Sequence, residues 1–299
     1  MYARRLGRLF AAADGPNWMA SHAAYPAPVL LESNRMRIFF VSRDGDGRGT
    51  VGWVDVSTKD PRRIIAHSRE PALRPGPRGS FDDRGIAIGS VVRYGNALRL
   101  YYMGWNIGVG VPFRNAIGLA VSADRDGSTF NRVFDGPVLD RSRHDPYSLS
   151  YPFVIDGASG WRMIYGSHRG PGTTENDMRH ALMGASSFDG IDWAPGGQPI
   201  LDLEKSELGH SRPWIMSRQG KRYLMFSVRR SQYTVGLAVE QSDGTWGRVP
   251  ELSFCGGTED WDREAQCYAS HFSLRGNDYI LYNGNEYGRT GFGLAILED

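Results

Sequence analysis

The chain has 299 residues, 40% hydrophobic and 12% aromatic, enough to bury a large core as one all-β domain or as two ordinary domains. A formal net charge of +2, from 35 basic and 33 acidic residues, excludes the strong field of a nucleic-acid-binding or membrane-surface protein. The sequence has no apolar stretch of about 18 residues and no signal peptide, so we expect a cytoplasmic protein without a membrane partner.

Short β-type runs, punctuated by glycine and proline, follow one another along the chain, and hardly any segment has helical periodicity. The run at 25–44 is an apolar strand, a polar turn and a second apolar strand rich in Tyr and Phe. The same plan recurs at 81–106, 151–170, 212–230 and 269–288. Five copies predict a repeat architecture built from β-sheets.

A third strand with small residues follows each copy, at 50–57, 116–124, 180–189, 234–243 and 291–299. A fourth run follows the first four of these strands, and the N-terminal stretch 2–12 most simply supplies the missing one, which leaves no open edge. The sequence therefore predicts a single all-β domain over 1–299, a five-bladed β-propeller of four-stranded blades closed by its N-terminal strand. A β-sandwich or two β domains is the alternative.

The innermost strand of each propeller blade borders a central channel, so residues at the beginnings of these strands share one funnel. When the five inner strands are aligned, the residues at their equivalent beginnings, which we call the strand entrances, are His22, Asp83 with Arg84, Tyr147, Glu207 and Glu264. Slightly deeper lie His210, Arg212 and Tyr268, while the ends of the second strands contribute Arg43, Trp105 and His168. Carboxylates, arginines and aromatic rings at one mouth are typical of a carbohydrate site, because sugar faces stack on rings and hydroxyls bond to charged groups.

The chain resembles the five-bladed propeller superfamily that includes glycoside hydrolase families 32, 43, 62 and 68, and more closely its uncharacterised glycosidase-like branch associated with polysaccharide genes. The matching stretches are FDDRGIAIGSVV, LYYMGWN, VPFRNAIGLAVSAD, GWRMIYGSH and HSRPWIM. The resemblance implies a glycoside hydrolase-like enzyme that cleaves or transfers a glycosidic linkage with three acids around the funnel. The candidates are Glu207 or Glu264 as general acid and Asp83 as base or orienting carboxylate.

The resemblance also implies an acid at the entrance of the first blade, where this chain has His22. Either the acids are redistributed among the other blades, or the hydrolytic function is lost or changed. Two further functions stay open: a non-catalytic carbohydrate-binding propeller, and a lyase- or isomerase-like enzyme that acts on a small metabolite through His22 and Tyr147. Each would take an oligosaccharide or another small molecule as its ligand.

Structural roles are open for several of these side chains. Asp82 fits a turn residue ahead of its strand, Asp83 and Arg84 fit an ion pair, and His271 fits a core histidine with a partner. No tight spacing of metal ligands occurs, so we predict neither a metal site nor a cofactor. Cys255 and Cys267 are too few for a disulfide framework and are expected to be reduced, buried thiols.

Overall fold

The computed structural model describes residues 1–157, 160–170, 178–256 and 260–299. The chain forms two compact units, which we describe separately. The first comprises Met1–Gly47, Val51–Pro71 and Trp214–Asp299, and the second comprises Arg48–Thr50 and Ala72–Pro213. Strands account for nearly all regular structure in the described residues, so the predicted all-β class is confirmed. Among these residues, no helical segment has the length and hydropathy of a membrane span.

The strands, in chain order, are β1 (Tyr2–Phe10), β2 (Ser21–Glu32), β3 (Arg35–Arg43), β4 (Gly49–Ser57), β5 (Ile64–His67), β6 (Gly85–Tyr94), β7 (Ala97–Asn106), β8 (Arg114–Ser122), β9 (Phe130–Arg132), β10 (Leu149–Gly157), β11 (Gly160–Gly170), β12 (Arg179–Ser187), β13 (Ala194–Pro199), β14 (Gly209–Arg218), β15 (Lys221–Arg229), β16 (Tyr233–Glu240), β17 (Trp246–Val249), β18 (Ser253–Cys255), β19 (Cys267–Leu274), β20 (Asn277–Asn283) and β21 (Phe292–Glu298). Short helical turns lie at Ala12–Asp14 and Asn285–Gly288.

The five predicted strand pairs are present as β2 with β3, β6 with β7, β10 with β11, β14 with β15, and β19 with β20. The predicted third strands are β4, β8, β12, β16 and β21. The polar turn expected at Gly95 and Asn96 joins Tyr94 to its partner Ala97, and Gly95 has the positive φ of 58° that such a tight hairpin requires. Alternating apolar residues therefore located the strands correctly.

Each unit contains its own sheets and its own core. In the first unit, β18, β1, β21, β20 and β19 form one sheet in that order, and Phe10, Phe40 and Phe292 lie in its hydrophobic core. In the second unit, β6 to β9 and β10 to β13 form two antiparallel series, with a core that contains Tyr101 and Trp161. Sheets pack face to face in both cores because each buries one apolar surface.

The N-terminal strand β1 completes the last sheet, as the sequence predicts. It runs antiparallel to β21, with Tyr2 opposite Glu298 and Phe10 opposite Phe292. It also pairs in parallel with β18 over three residues, from Tyr2 opposite Ser253 to Arg4 opposite Cys255. The predicted pairing of the N-terminal strand is therefore confirmed. Closure of a five-bladed ring stays a prediction.

A buried hydrogen bond between a tyrosine and an aspartate recurs in three of the repeats. The tyrosine lies on the second strand of the repeat, and the aspartate lies in the loop that precedes the first strand. Tyr102 donates to Asp82 at 3.1 Å, and Tyr282 donates to Asp262 at 2.8 Å. In both sheets an arginine from the strand that pairs with the third strand completes the arrangement: these are Arg132 of β9 at 2.6 Å and Arg5 of β1 at 2.8 Å. Asp82 is therefore a buried structural carboxylate, and β1 has the side-chain role of β9.

The third copy of the pair lacks the arginine. Tyr165 donates to Asp145 Oδ2 at 2.8 Å, while Asp145 Oδ1 is buried without a hydrogen-bond partner. At the positions equivalent to these tyrosines, the first and fourth repeats carry Phe40 and Phe226, which need no acceptor. The carboxylate is thus present in the three repeats where the aromatic ring carries a hydroxyl.

Candidate functional site

A left-handed residue lies near the beginning of the first strand in four of the repeats. Tyr25, Tyr151, Arg212 and Tyr268 have φ values of 57°, 45°, 52° and 54°. The ladder is interrupted around the tyrosines, between Ala24 and Ala27, Ser150 and Phe153, and Cys267 and Ser270. Such conformations cost about 1–3 kcal/mol each and cluster at functional sites. The strained backbone positions therefore lie near the same strand beginnings that the sequence pattern singled out.

Glu207 and His210 form a buried pair at the beginning of β14. Glu207 Oε2 lies 2.8 Å from His210 Nε2, and both side chains are fully buried. The same oxygen accepts the backbone N–H of Glu204 at 2.9 Å, while the N–H of Glu207 donates to the Glu204 carbonyl at 3.0 Å. A closed turn therefore fixes the carboxylate, and His210 orients it.

Arg212 follows on the same strand and has no exposed surface. Its Nη1 donates to the carbonyl of Gly89 in β6, which belongs to the same unit. A buried guanidinium is costly unless it is hydrogen-bonded, so this contact holds β6 and the beginning of β14 together around a fixed positive charge.

Asp83 and Arg84 do not form the ion pair that the sequence left open. Asp83 Oδ2 accepts the backbone N–H of Gly79 at 2.8 Å, while Oδ1 is buried without a hydrogen-bond partner. The Arg84 backbone N–H donates to the Trp105 carbonyl at 3.1 Å, and its Nε is likewise buried and unpartnered. Asp83 Oδ1 is therefore an acceptor, and Arg84 Nε a donor, that is available to other groups. Half-buried Trp105 packs against Gly85.

His168 stacks with a histidine that sequence reasoning missed. The rings of His168 and His180 lie 5.3 Å apart at 31°, and the edge of Phe113 meets His168 at 6.2 Å. His180 Nδ1 lies 2.9 Å from the carbonyl of Met178. A signal was available in the sequence, because His180 begins a third strand where most repeats have a small residue or Thr. Tyr147, at the edge of the same unit, is 38% exposed.

His22 lies in the first unit in a strained, half-buried position. Its φ is 63°, and its Nδ1 lies 2.9 Å from Ser21 Oγ. Burial, together with the positive charges of Arg43 and Arg289, lowers the pKa of His22 to about 4, against an opposing contribution from Glu286. The imidazole is therefore neutral at pH 7 and has an acceptor nitrogen available for chemistry. Arg43 itself is exposed.

Four tyrosines form a continuous aromatic cluster in the first unit. Tyr25 lies 4.7 Å from Tyr268, Tyr268 lies 5.8 Å from Tyr233, and Tyr233 lies 5.6 Å from Tyr287, measured between ring centroids. Tyr25 is half-buried, and from Tyr268 onward burial decreases, from 3% exposure at Tyr268 to 51% at Tyr287. Graded rings of this kind suit the apolar face of a sugar. Tyr233 begins the third strand β16 and Tyr287 lies in the helical turn after β20, so neither is at the first-strand beginnings or second-strand ends that the sequence pattern singled out.

Glu264 is exposed, in contrast to Glu207. Its backbone N–H donates to Asn285 Oδ1 at 2.9 Å, which anchors the loop while leaving the carboxylate in solvent. Glu264 belongs to the first unit, and Asp83 and Glu207 belong to the second. The structure brings Glu207 together with His210, and Arg84 with Trp105. The convergence of the three acids on one substrate stays a prediction.

The described part of the chain contains no group of three or more His, Cys, Asp or Glu side chains arranged to hold a metal ion. His271 lies 2.9 Å from Asp278 Oδ1, which confirms the interpretation of a partnered core histidine. Cys255 and Cys267 are free thiols, the first half-buried and the second buried.

Comparison with solved structures shows that this fold is shared with glycoside hydrolases. A glycoside hydrolase aligns with a TM-score of 0.75 at 16% identity, covering 98% of this chain and 90% of its own. An alpha-L-arabinofuranosidase from Lactobacillus brevis gives 0.69 at 10% identity, covering 97% and 94%. A thermostable family-43 glycoside hydrolase gives 0.65 at 16% identity, covering 93% and 91%. All three likenesses lie at or below 16% identity, so what they show is a fold shared with glycoside hydrolases.

No family model matches the sequence. The chain is 39% identical over 298 residues to the uncharacterized protein Rv1502 of Mycobacterium tuberculosis strain H37Rv, and the alignment covers 99% of both chains. The uncharacterized protein MT1551 of strain CDC 1551 has the same identity and coverage. The chain belongs to the protein family of Rv1502.

Proposed function

We propose that the chain is a carbohydrate-active enzyme that cleaves or transfers a glycosidic linkage. The observation that carries the proposal is the buried Glu207 carboxylate, held 2.8 Å from His210 at the beginning of β14. The fold shared with glycoside hydrolases supports it, although fold alone does not fix function. The mechanism and the saccharide substrate below are part of the same proposal.

The proposed architecture is one domain over 1–299, a five-bladed β-propeller closed by β1. Two observations support it: the five repeated strand series, and the matching roles of Arg132 on β9 and Arg5 on β1. In such a ring the strained strand beginnings would border one channel.

In the proposed chemistry, one carboxyl group protonates the leaving oxygen while an ionised carboxylate acts on the opposite face of the sugar. Glu207 is our candidate for the general acid, because His210 and the Glu204 N–H fix its orientation. Asp83 suits the base, because its buried Oδ1 has no donor and is available to a water or a sugar hydroxyl. Exposed Glu264 would act as the third acid once substrate covers it.

Substrate binding is assigned to the polar and aromatic side chains around these acids. The tyrosine cluster offers a stacking surface, and Arg84 has a buried Nε available to a sugar hydroxyl. The remaining proposed contacts are His22, Arg43, Trp105, Tyr147, His168 and Arg212. These polar and aromatic side chains fit an oligosaccharide better than a compact metabolite.

Activity is tested on the full chain with a panel of 4-nitrophenyl glycosides and polysaccharides, following release of nitrophenol or reducing ends. Glu207→Gln is expected to lower kcat by about 10²- to 10⁴-fold while circular dichroism is unchanged. Glu32→Gln, which removes an exposed carboxylate at the end of β2, is the matched control. Retained turnover in Glu207→Gln, Asp83→Asn and Glu264→Gln would contradict the mechanism.

A second candidate function is favoured by His22. A neutral imidazole at pH 7 in a strained backbone position suits a general base in a lyase- or isomerase-like reaction, with Tyr147 as the acid. That function predicts loss of activity in His22→Gln and Tyr147→Phe but not in Glu207→Gln. The two sets of variants therefore separate the two proposals.

A further inference from the structure

A groove in the first unit lies beside β1 and is separate from every side chain assigned above. It is lined by Leu6, Gly7, Arg8, Arg62, Asp260 and Trp261 and has a volume of about 510 Å³. We call it the β1 groove. It continues past Asp60 and Arg63 on one side and past Arg5 and Asp262 on another.

The groove follows from an irregularity in the pairing of β1 with β21. The register shifts between Arg5 and Gly7 and again between Arg8 and Phe10, and Gly7 has a φ of 100°. Such bulges bend a strand and redirect its side chains. Bulges are frequent next to functional sites, where they redirect a side chain.

The charges that line the groove do not balance. Exposed Arg8, Arg62 and Arg63 form no ion pair with any residue that the structure describes. Asp260 is paired with Arg263 at 2.6 Å, and Asp262 is paired with Arg5 at 2.8 Å. The third acid beside the groove is Asp60, whose Oδ1 accepts the backbone N–H of Arg62. Among the residues that the structure describes, the groove therefore carries an excess of positive charge.

Trp261 supplies an independent observation. The side chain is 94% buried, being 6% exposed, and its Nε1 is buried without a hydrogen-bond partner. Its six-membered ring packs against Gly284 and Gly293, which fixes the indole. An unsatisfied buried donor is unfavourable, so native proteins rarely keep one without a reason. An acceptor bound in the groove would satisfy this N–H.

We propose that the β1 groove binds an oxyanion, a carboxylate or phosphate group carried by an acidic saccharide. The guanidinium of Arg62 forms the charged contact, Arg8 and Arg63 add positive field, and the Trp261 indole donates to one oxygen. Arginine matches carboxylate and phosphate geometry through paired N–H donors. The choice of a saccharide as the carrier rests on the proposed function, whereas anion binding does not, because no acid assigned to catalysis lines the groove.

The test is a titration of the full ¹⁵N-labelled chain with inorganic phosphate, glucuronate and glucose at constant ionic strength. The indole N–H resonance of Trp261, assigned by its absence in Trp261→Phe, is expected to shift with phosphate or glucuronate and not with glucose. The anion that binds more tightly distinguishes a phosphate ester from a sugar carboxylate as the natural group. Isothermal titration gives the dissociation constants in parallel.

The Arg62→Gln variant is expected to raise the dissociation constant about tenfold, as loss of one charge-assisted hydrogen bond predicts. The control is Arg78→Gln, which removes an exposed arginine of the second unit that does not line the groove and should bind like the parent. Folding of each variant is checked by circular dichroism and thermal unfolding. An unmoved Trp261 resonance, or equal affinities for the Arg62 and Arg78 variants, would overturn the proposal.

Discussion

The hydroxyl of Tyr102 donates to the buried carboxylate of Asp82 at 3.1 Å, and the pair recurs as Tyr282 with Asp262. In both cases an arginine neutralises the carboxylate: these are Arg132 of β9 and Arg5 of β1. Burial and the neighbouring carboxylate raise the pKa of Tyr102, so the phenol stays protonated and remains a donor. The repeat unit is therefore defined by a polar network as well as by apolar strands.

Loss of this hydrogen bond should destabilise the fold. Tyr102→Phe is expected to lower the free energy of unfolding by about 1.5–3 kcal/mol, because the lost acceptor is charged. The adjacent Tyr101 is equally buried but donates to the neutral carbonyl of Gly190 at 2.8 Å. Tyr101→Phe should therefore cost less, about 0.5–1.5 kcal/mol, by urea denaturation. The reverse order would argue against a charged acceptor at Asp82.

The ion pair of Arg5 with Asp262 should stabilise the last sheet, since both side chains are nearly buried. Arg5→Gln leaves a buried carboxylate uncompensated and is expected to lower the free energy of unfolding by about 3–5 kcal/mol. The matched control is the neighbouring Arg4→Gln, which removes an exposed pair with Glu298 and should change stability little. Equal effects of the two substitutions in denaturant titrations would contradict this role of β1.

His22 should make the fold sensitive to moderate acid. Its pKa is about 4 in the folded chain against an ordinary value of 6.5, so the unfolded chain binds more protons between these values. Stability is therefore complete above pH 6.5 and falls as the pH decreases toward about 4. His22→Gln should flatten this part of the stability profile, whereas His67→Gln, at an exposed position, should not.

The same histidine gives a direct electrostatic test by NMR titration. Arg43→Gln removes a positive charge that lowers the pKa of His22, so the pKa should rise. Glu286→Gln should shift it downward, because that carboxylate favours the protonated ring. Shifts in the opposite directions would show that other groups control the imidazole.

The two thiols should react very differently. Cys267 is fully enclosed, and burial raises the pKa of its thiol, so little thiolate forms at pH 8. Cys255 is half-buried. Ellman's reagent should label the native chain through Cys255, and Cys255→Ser should prevent rapid labelling until denaturant is added. Rapid labelling of native Cys255→Ser would mean that the core around Cys267 opens readily.

The sequence predicted the strands better than the side-chain partners. Alternation and turn residues depend on local chemistry, so they located all five strand pairs and the N-terminal strand that completes the last sheet. Asp82 was interpreted as a turn residue because its arginine partner lies 50 residues away. A spacing of 20 residues between Asp and Tyr in three repeats was nevertheless readable. Glu207 and Glu264 looked alike in sequence, since burial depends on tertiary packing.

The pairing of β1 with β21 can form only late in the synthesis of the chain. Arg4 and Glu298 are partners separated by 294 positions, so the ribosome must finish nearly the entire polypeptide before this edge can be covered. Until then, Tyr2–Phe10 is an unpaired strand whose backbone N–H and C=O groups can engage neighbouring nascent chains. Truncated translation products would therefore aggregate, and a chaperone that shields this segment would raise the yield of native protein.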